Sequence, residues 1–158
     1  MSCMAPRGAL HDEDENRVSP GLLCTVMLLN TALERVANRF TEQHGLTFPQ
    51  WMALGCIGYC GEEGIRHSEL GQRLLLSKAP ITGVVDRLER AGYVRRVPDQ
   101  NDRRVSRVVI TTDGEAAWFR VHDTLHGLAE SLCDCLSLGE QEQALRLLTR
   151  LLENPELG

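Results

Sequence analysis

The sequence predicts a mainly α-helical fold that carries one small β-hairpin. Over most of the 158 residues, apolar side chains recur at three- and four-residue spacings, as they do in helices with one buried face. The alternation of apolar with polar or basic residues that marks a half-buried strand is confined to residues 93–97 and 105–110. A chain of this length can bury one substantial core, so we expect one domain.

The N-terminal part of the chain divides into an arm and a helix. Residues 1–17 are polar, charged and aperiodic, which indicates a flexible arm. Ser19 and Pro20 favour a helix start, because a serine hydroxyl caps free amides and proline is preset for a first turn. Helical spacing of apolar residues continues to about residue 44, and Gly45 favours the end of this helix.

Three more helices are predicted before the strand-like segments. Thr47 precedes the second, His67 opens a short third, and a fourth spans 78–90 after a turn. Pro80 is compatible with the fourth helix only in its first turn, where the missing amide is not needed. The third and fourth helices therefore form a pair joined by a short turn.

The two strand-like segments are expected to pair as a hairpin. The residues between them, PDQNDRR at 98–104, are charged and rich in turn-forming types. Two helices then complete the chain, one from about residue 113 to 136 and one over 141–153. Ser137 and Glu140, which lie between them, have the spacing of a capping box.

The distribution of charge sets one segment apart. Ile65–Ile110 contains ten Arg/Lys against five Asp/Glu, a local charge of +5. The rest of the chain has seven against seventeen, so a basic segment lies within a protein of net charge -5. Such a segment is the electrostatic feature expected of a nucleic-acid-binding surface.

Two helices joined by a turn and followed by a hairpin form a winged helix-turn-helix, in which the hairpin is the wing. Residues 76–114, LSKAPITGVVDRLERAGYVRRVPDQNDRRVSRVVITTDG, resemble the MarR family of bacterial transcriptional regulators. The likeness is strongest in the GYV, DQNDRR and ITTDG segments. It implies a single domain over residues 18–158, in which residues 48–112 form a winged helix-turn-helix lobe that binds DNA and residues 19–44 and 113–153 form dimerisation helices.

A homodimer is also expected from the apolar residues. The first helix and the last two are apolar on more than one side, beyond what a small winged module needs for its own packing. Two recognition helices about 34 Å apart would read a pseudo-palindromic operator in double-stranded DNA. We therefore expect a sequence-specific DNA-binding regulator that acts as a repressor. A winged module that contacts only other proteins is the alternative.

Polar side chains of the fourth helix and the hairpin are the candidate DNA contacts. A recognition helix places its first turns in the major groove, and wing arginines can enter the minor groove, where negative potential is high. The alternative is that these side chains are only a solvated surface. The candidates are Ser77, Lys78, Thr82 and Arg87 in the helix, Arg103 and Arg104 at the wing tip, and Arg95, Arg96 and Arg107 for phosphates or for the solvent face of the hairpin. The resemblance implies that Asp99 or Asp102 braces one wing arginine by an ion pair.

Cys24, near the start of the first helix, is the candidate sensor. Its position resembles that of the oxidised cysteine in the MarR branch that senses organic hydroperoxides. In two-cysteine members of that branch a partner thiol lies near the end of the fifth helix, as Cys133 and Cys135 do here. Oxidation to a sulfenic acid and capture by a second thiol would release the DNA. The alternative is that Cys24 is simply a buried small residue.

Other switches, and another class of protein, stay open. Many MarR proteins respond to a small phenolic or aromatic ligand, and His122 and His126, four apart in one helix, could take part in a zinc site. The thiols could instead belong to a thiol-dependent peroxidase or oxidoreductase, although no CxxC or glycine-rich phosphate loop supports an enzyme. Cys56 and Cys60 are best explained as core packing.

The sequence indicates no cofactor and no membrane segment. The acidic N-terminal stretch lacks the apolar core of a secretory leader. The longest apolar run, near residues 22–29, is much shorter than the roughly 20 residues that cross a bilayer. We therefore expect a cytoplasmic protein whose six cysteines are mostly reduced.

Overall fold

The computed structural model describes residues 18–99, 102 and 104–157, and the predicted arm over residues 1–17 lies outside them. The predicted fold class, mainly α with a winged helix-turn-helix, is confirmed. The helices are α1 (Val18–Glu42), α2 (Phe48–Tyr59), α3 (His67–Arg73), α4 (Lys78–Arg90), α5 (Thr112–Cys133) and α6 (Leu138–Leu152). The strands are β1 (Ile65–Arg66), β2 (Val94–Pro98) and β3 (Ser106–Ile110).

Capping residues set several of the helix ends. Thr47 and Gln50 form a capping box at the start of α2, where Thr47 N donates to Gln50 Oε1 at 2.7 Å. Ser137 and Glu140 form the predicted capping box at the start of α6. Gly45, just after α1, has a φ of +74°, a conformation that ends a helix and favours glycine. Short-range sequence signals therefore determine where these helices begin and end.

The sheet has one strand more than the prediction. β2 and β3 form the predicted antiparallel hairpin, with Val94 opposite Ile110 and Pro98 opposite Ser106. β1 pairs antiparallel with the other edge of β3, which gives the order β1-β3-β2. Two residues are too few to display an alternating pattern, so periodicity could not have revealed β1.

The chain divides into two compact units, whose described parts are residues 18–36, all within α1, and residues 37–99, 102 and 104–157. The core lies in the second unit, between α2, α3, α4, α5 and the sheet. None of the helices in the described ranges is both long and apolar enough to cross a membrane. The side chains that anchor the core include Leu54, Ile57, Leu70, Ile81, Val85, Leu88, Val108 and Val121. This core fixes α3, α4 and the hairpin relative to one another.

Candidate nucleic-acid interface

The first turn of α4 is polar and open to solvent. Ser77 is the N-cap residue, and its hydroxyl makes no capping hydrogen bond. Lys78 is exposed, and its carbonyl oxygen accepts a hydrogen bond from Thr82 Oγ1 at 2.9 Å. Arg87 is also exposed, farther along the helix. The predicted helix contacts are therefore available to a ligand, because α4 is held to the core by other residues.

A groove of about 980 Å³ lies between α3, α4 and the hairpin, and we call it the recognition groove. It brings together Lys78 and Thr82 from the helix and Arg104 from the wing, all of which were predicted as contacts. Arg87, Arg95 and Arg96 do not line it. Its lining includes Arg66, His67, Ser68, Leu75, Lys78, Thr82 and Arg104.

Asp99 organises the base of the wing. Its side chain is fully buried, and its Oδ2 accepts hydrogen bonds from Arg66 Nε at 3.0 Å and Arg107 Nη1 at 3.1 Å. Its Oδ1 accepts from Asp102 N at 3.2 Å. A buried carboxylate is tolerated only when it is paired and hydrogen-bonded, so this arrangement ties β1 and β3 to the wing loop. Arg66 could not be singled out from the sequence, since only its place in the basic segment marked it.

Arg104 stands at the described tip of the wing. Its backbone N donates to Asp102 Oδ1 at 3.0 Å, and its Nε lies 3.6 Å from the same oxygen. The Arg104 side chain is 95% exposed. An ion pair in such a solvated position contributes less than about 1 kcal/mol, so the guanidinium can turn towards a ligand. Arg103 lies outside the described residues.

Arg96 is engaged within the fold. Its guanidinium donates to Asp86 Oδ1 at 2.6 Å and forms a second ion pair with Glu89, so β2 is fastened to α4. The hydrogen bond from Arg96 lowers the pKa of Asp86. Burial lowers the pKa of His67, whose Nε2 lies 3.5 Å from Arg96, and the arginine charge acts in the same direction. Arg96 therefore positions the hairpin, whereas its neighbour Arg95 is exposed.

The GYV and ITTDG segments lie against each other. Gly92 has a φ of +77°, and Tyr93 N donates to Leu88 O at 2.9 Å, which ends α4. Thr111 then donates from Oγ1 to Gly92 O at 2.7 Å and from N to Tyr93 O at 3.0 Å. The same Thr111 caps α5 by accepting from Gly114 N at 3.1 Å. One threonine thus joins the end of α4, the start of β2 and the start of α5.

The candidate sensor thiols differ in exposure. Cys24 is exposed in α1 of the single chain. Cys135 is also exposed, and Cys133 is half-buried. Cys56 and Cys60 are half-buried and pack against the core. Burial raises the pKa of Cys56, which makes it a poor nucleophile.

The two histidines of α5 extend a row of rings. The ring centroid of His122 lies 4.5 Å from that of Trp118 and 6.0 Å from that of His126. His122 Nδ1 is 3.1 Å from an oxygen of Asp123, and His126 Nδ1 is 3.6 Å from one of Glu130. Within the part of the chain that the structure describes, no group of three or more His, Cys, Asp or Glu could hold a metal ion.

A smaller crevice of about 340 Å³ lies between α2, β3 and α5. Aromatic rings of Tyr59, Trp118 and Phe119 line it, and the first and last of these are exposed. A Cβ on Gly55 would come within 2.7 Å of Trp118 Nε1, so the glycine lets the indole approach α2. Among the described residues that line it, Glu115 is the only acidic one.

The helix-turn-helix, the three-stranded sheet and the basic recognition groove define a winged helix-turn-helix protein. Residues 44–105 match a model of the MarR family, MarR_2. The winged helix-turn-helix segment thus matches the MarR family, and the chain as a whole is similar to transcriptional regulators of that family.

The similarity to known proteins extends beyond the segment that the family model matches. The transcriptional activatory protein BadR of Rhodopseudomonas palustris is 29% identical over 124 residues, which are 77% of this chain and 71% of BadR. The transcriptional repressor MprA of Escherichia coli is 27% identical over 126 residues, 80% of this chain and 72% of MprA. A cysteine-to-serine mutant of E. coli MarR, crystallised with operator DNA, is similar with a TM-score of 0.77 and 26% identity over 89% of this chain and 99% of that one.

Proposed function

We propose that the protein is a homodimeric repressor that binds a pseudo-palindromic operator and is released from it by a chemical signal. One observation carries the DNA-binding part: the recognition helix and the wing place Lys78 and Arg104 in the same groove. Cations at these two positions suit the phosphates and groove edges of a duplex. The mutant E. coli MarR of similar fold was crystallised with operator DNA, which supports this assignment.

The exposed side chains fall into distinct roles in a DNA complex. Ser77, Lys78 and Thr82 lie at the start of α4, which suits contacts with base edges in the major groove. Arg104, which is exposed at the wing tip, suits the minor groove. The exposed arginines away from the groove, Arg87 and Arg95, suit phosphates. Arg96 and Arg107 are instead engaged in positioning the hairpin.

Exposed apolar side chains support the homodimer. A monomer that keeps many large apolar residues in water is unusual, and such surfaces mark interfaces. α6 has no buried residue in the single chain. A second copy that covers these residues would also fix the distance between two recognition helices. The exposed residues are Leu22, Leu23, Met27, Leu28, Leu29 and Leu33 in α1, and Leu138, Leu145, Leu147, Leu148 and Leu152 in α6.

Replacing either groove cation is expected to weaken DNA binding and to make the binding constant less sensitive to salt. Lys78→Ala and Arg104→Ala each remove up to two contacts per dimer, so we expect Kd to rise about tenfold and the slope of log K against log salt to fall by about 1–2. Fluorescence anisotropy on an operator selected from a randomised library, at several salt concentrations, measures both quantities. Arg146→Ala, an equal charge change in α6, serves as the control and should leave them unchanged. Wild-type protein that shows no preference over random duplex at low salt would disprove the DNA-binding proposal.

Thiol oxidation at Cys24 is the signal we favour. The Cys24 thiol is exposed in the single chain, where a hydroperoxide can reach it. Its thiolate would attack the peroxide oxygen, which yields a cysteine sulfenic acid and an alcohol. A second thiol, Cys133 or Cys135, would then attack the sulfenic sulfur, so that a disulfide forms and water leaves. Such a bond requires Cα atoms within about 7 Å, which makes it a strong constraint on helix positions.

A small aromatic ligand is the second candidate signal, and the aromatic crevice favours it. Trp118 and Phe119 from α5 and Tyr59 from α2 offer ring faces for stacking a planar molecule. The crevice lies next to Ile110, at the end of β3. A ligand wedged there would press on the junction between α5 and the wing.

Two variants distinguish a peroxide signal from an aromatic-ligand signal. We expect a hydroperoxide to weaken operator binding by wild type at least about tenfold and to leave Cys24→Ser unaffected, because only the wild type can form the sulfenic acid. Gel shift and intact-protein mass spectrometry report binding and oxidation on the same sample, and Cys56→Ser is the control thiol variant. If Cys24→Ser responds like wild type, Cys24 is not the sensor. Substituted phenols that release DNA from wild type but not from Phe119→Ala would then identify the crevice as the sensing site.

A further inference from the structure

The turn between α3 and α4 contains a leucine in a conformation that favours glycine. Leu75 has a φ of +52°, and among the described residues no other non-glycine residue has a positive φ. The left-handed region crowds a Cβ against the backbone, so bulky side chains rarely adopt it. A leucine at this position is therefore unfavourable for the fold itself.

The Leu75 side chain also gains little from burial. It is 74% exposed, whereas its neighbours Leu74 and Leu76 pack against the core. An apolar side chain stabilises a fold in proportion to the area that it removes from water. The core thus uses the leucines on either side and leaves Leu75 in solvent. Strain and exposure at one residue are characteristic of functional positions.

The turn holds Leu75 in a defined place. Leu75 N donates to Gln72 O at 3.1 Å, and Leu76 N donates to Gly71 O at 2.8 Å. A Cβ on Gly71 would lie 2.9 Å from Leu76 O, so the glycine allows the turn to close tightly on α3. The backbone around Leu75 is therefore fixed on both sides, and its side chain is presented from a rigid support.

Leu75 faces the recognition groove. It lines that groove together with Lys78, Thr82 and Arg104, and it is the most exposed large apolar residue there. In the major groove, the apolar group that a side chain can recognise is the 5-methyl group of thymine. We propose that Leu75 is a specificity-determining residue that contacts the methyl group of one thymine in each operator half-site. The proposal rests on the DNA-binding function proposed above.

Deoxyuridine tests this contact, since it differs from thymidine only by that methyl group. With an operator selected by wild type from a randomised library, each thymine of a half-site is replaced in turn by deoxyuridine, symmetrically in both half-sites. At one position we expect wild-type binding to weaken about fourfold per half-site, the value of one buried methyl or methylene group. In Leu75→Gly the thymine and deoxyuridine duplexes should bind equally, which is the signature of a double-mutant cycle.

Two further variants make the experiment decisive. Leu75→Asn tolerates the left-handed backbone but is polar, so it should also bind both duplexes equally. Lys78→Ala, which removes a charge, should weaken binding to both duplexes by the same factor and keep the deoxyuridine effect. Because glycine suits the observed φ, the Leu75→Gly melting temperature should equal or exceed that of wild type.

The outcomes distinguish a failure of the Leu75 contact from a failure of the DNA-binding function on which it rests. If wild type selects no operator, the proposed DNA-binding function is wrong, and the Leu75 contact that rests on it is wrong as well. If wild type binds selectively but no thymine methyl matters, Leu75 is not a thymine reader. The methyl contact would also be overturned if Leu75→Gly and Leu75→Asn weakened binding to the thymine and deoxyuridine duplexes by the same factor and so kept the wild-type difference between them. That result would indicate that Leu75 contacts the sugar-phosphate backbone. A deoxyuridine penalty confined to proteins that carry Leu75 would establish it.

Discussion

Gly114→Ala is expected to destabilise the protein by about 3 kcal/mol or more. A Cβ at this position would overlap the carbonyl oxygen of Tyr93 and approach Ile110 Cγ1 to 2.9 Å. The Tyr93 carbonyl cannot simply move away, because it accepts the hydrogen bond from Thr111 N. Relief would require a shift of β2 or of the first turn of α5, and both are packed against the core. The glycine of the ITTDG segment is therefore required for steric reasons.

Thermal and urea unfolding at one fixed protein concentration measure this effect. For a domain of this size, 1 kcal/mol corresponds to a change of about 2–4 °C in Tm, so a fall of about 6–12 °C is expected. Gly127→Ala is the matched control, since it lies in the same helix and a Cβ there meets nothing within 4 Å. That variant should be as stable as wild type or up to about 1 kcal/mol more stable. A Gly114→Ala melting temperature within 2 °C or so of wild type would contradict the steric argument.

Asp99→Ala is expected to lower the free energy of unfolding by about 2–4 kcal/mol and to weaken operator binding as well. The change leaves Arg66 and Arg107 without the buried carboxylate that both contact. These arginine side chains are 37% and 24% exposed, so water compensates part of the lost interaction. The effect on DNA binding follows because the wing loop would lose its attachment to β1 and β3. Arg104 would then no longer be held beside the recognition helix.

Urea unfolding combined with anisotropy on the selected operator tests both parts. Asp99→Asn keeps the size of the side chain and removes its charge, so it should lose most of the same stability. Asp102→Asn is the control within the wing, because that side chain is 46% exposed and its loss should stay below about 1 kcal/mol. If Asp99→Ala unfolds like wild type, the carboxylate does not organise the wing. If stability falls but operator affinity does not, the wing is dispensable for binding.

Local sequence signals predicted most of the secondary structure, and α4 shows why. The serine before it, the proline in its first turn and the buried series Ile81, Val84, Val85 and Leu88 all agree on one helix over residues 78–90. Gly92 then supplies the conformation that ends it. β1 escaped prediction because its two residues are defined by pairing with β3, which is distant in the sequence.

The site residues divide in the same way. The exposed cations Lys78 and Arg104 could be selected from the sequence, since a polar helix start and a charged turn are local features. The engagement of Arg96 could not, because it depends on Asp86 and Glu89 in α4, which reach it only in three dimensions. The strained backbone of Leu75 likewise has no local signature, as leucine is common in helices and their turns.

Thr111 has a consequence for any signal that reaches this protein. Its two hydrogen bonds to Gly92 and Tyr93 and its cap on α5 connect the end of α4 directly to the start of α5. We therefore expect a rotation of α5 to move α4 with it, and in the proposed dimer to move both copies together. The spacing of the half-sites that the proposed dimer fits would then depend on α5, far from the bases. In the proposed dimer, a signal that moves α5 would change which DNA the two copies can span while leaving every DNA contact intact.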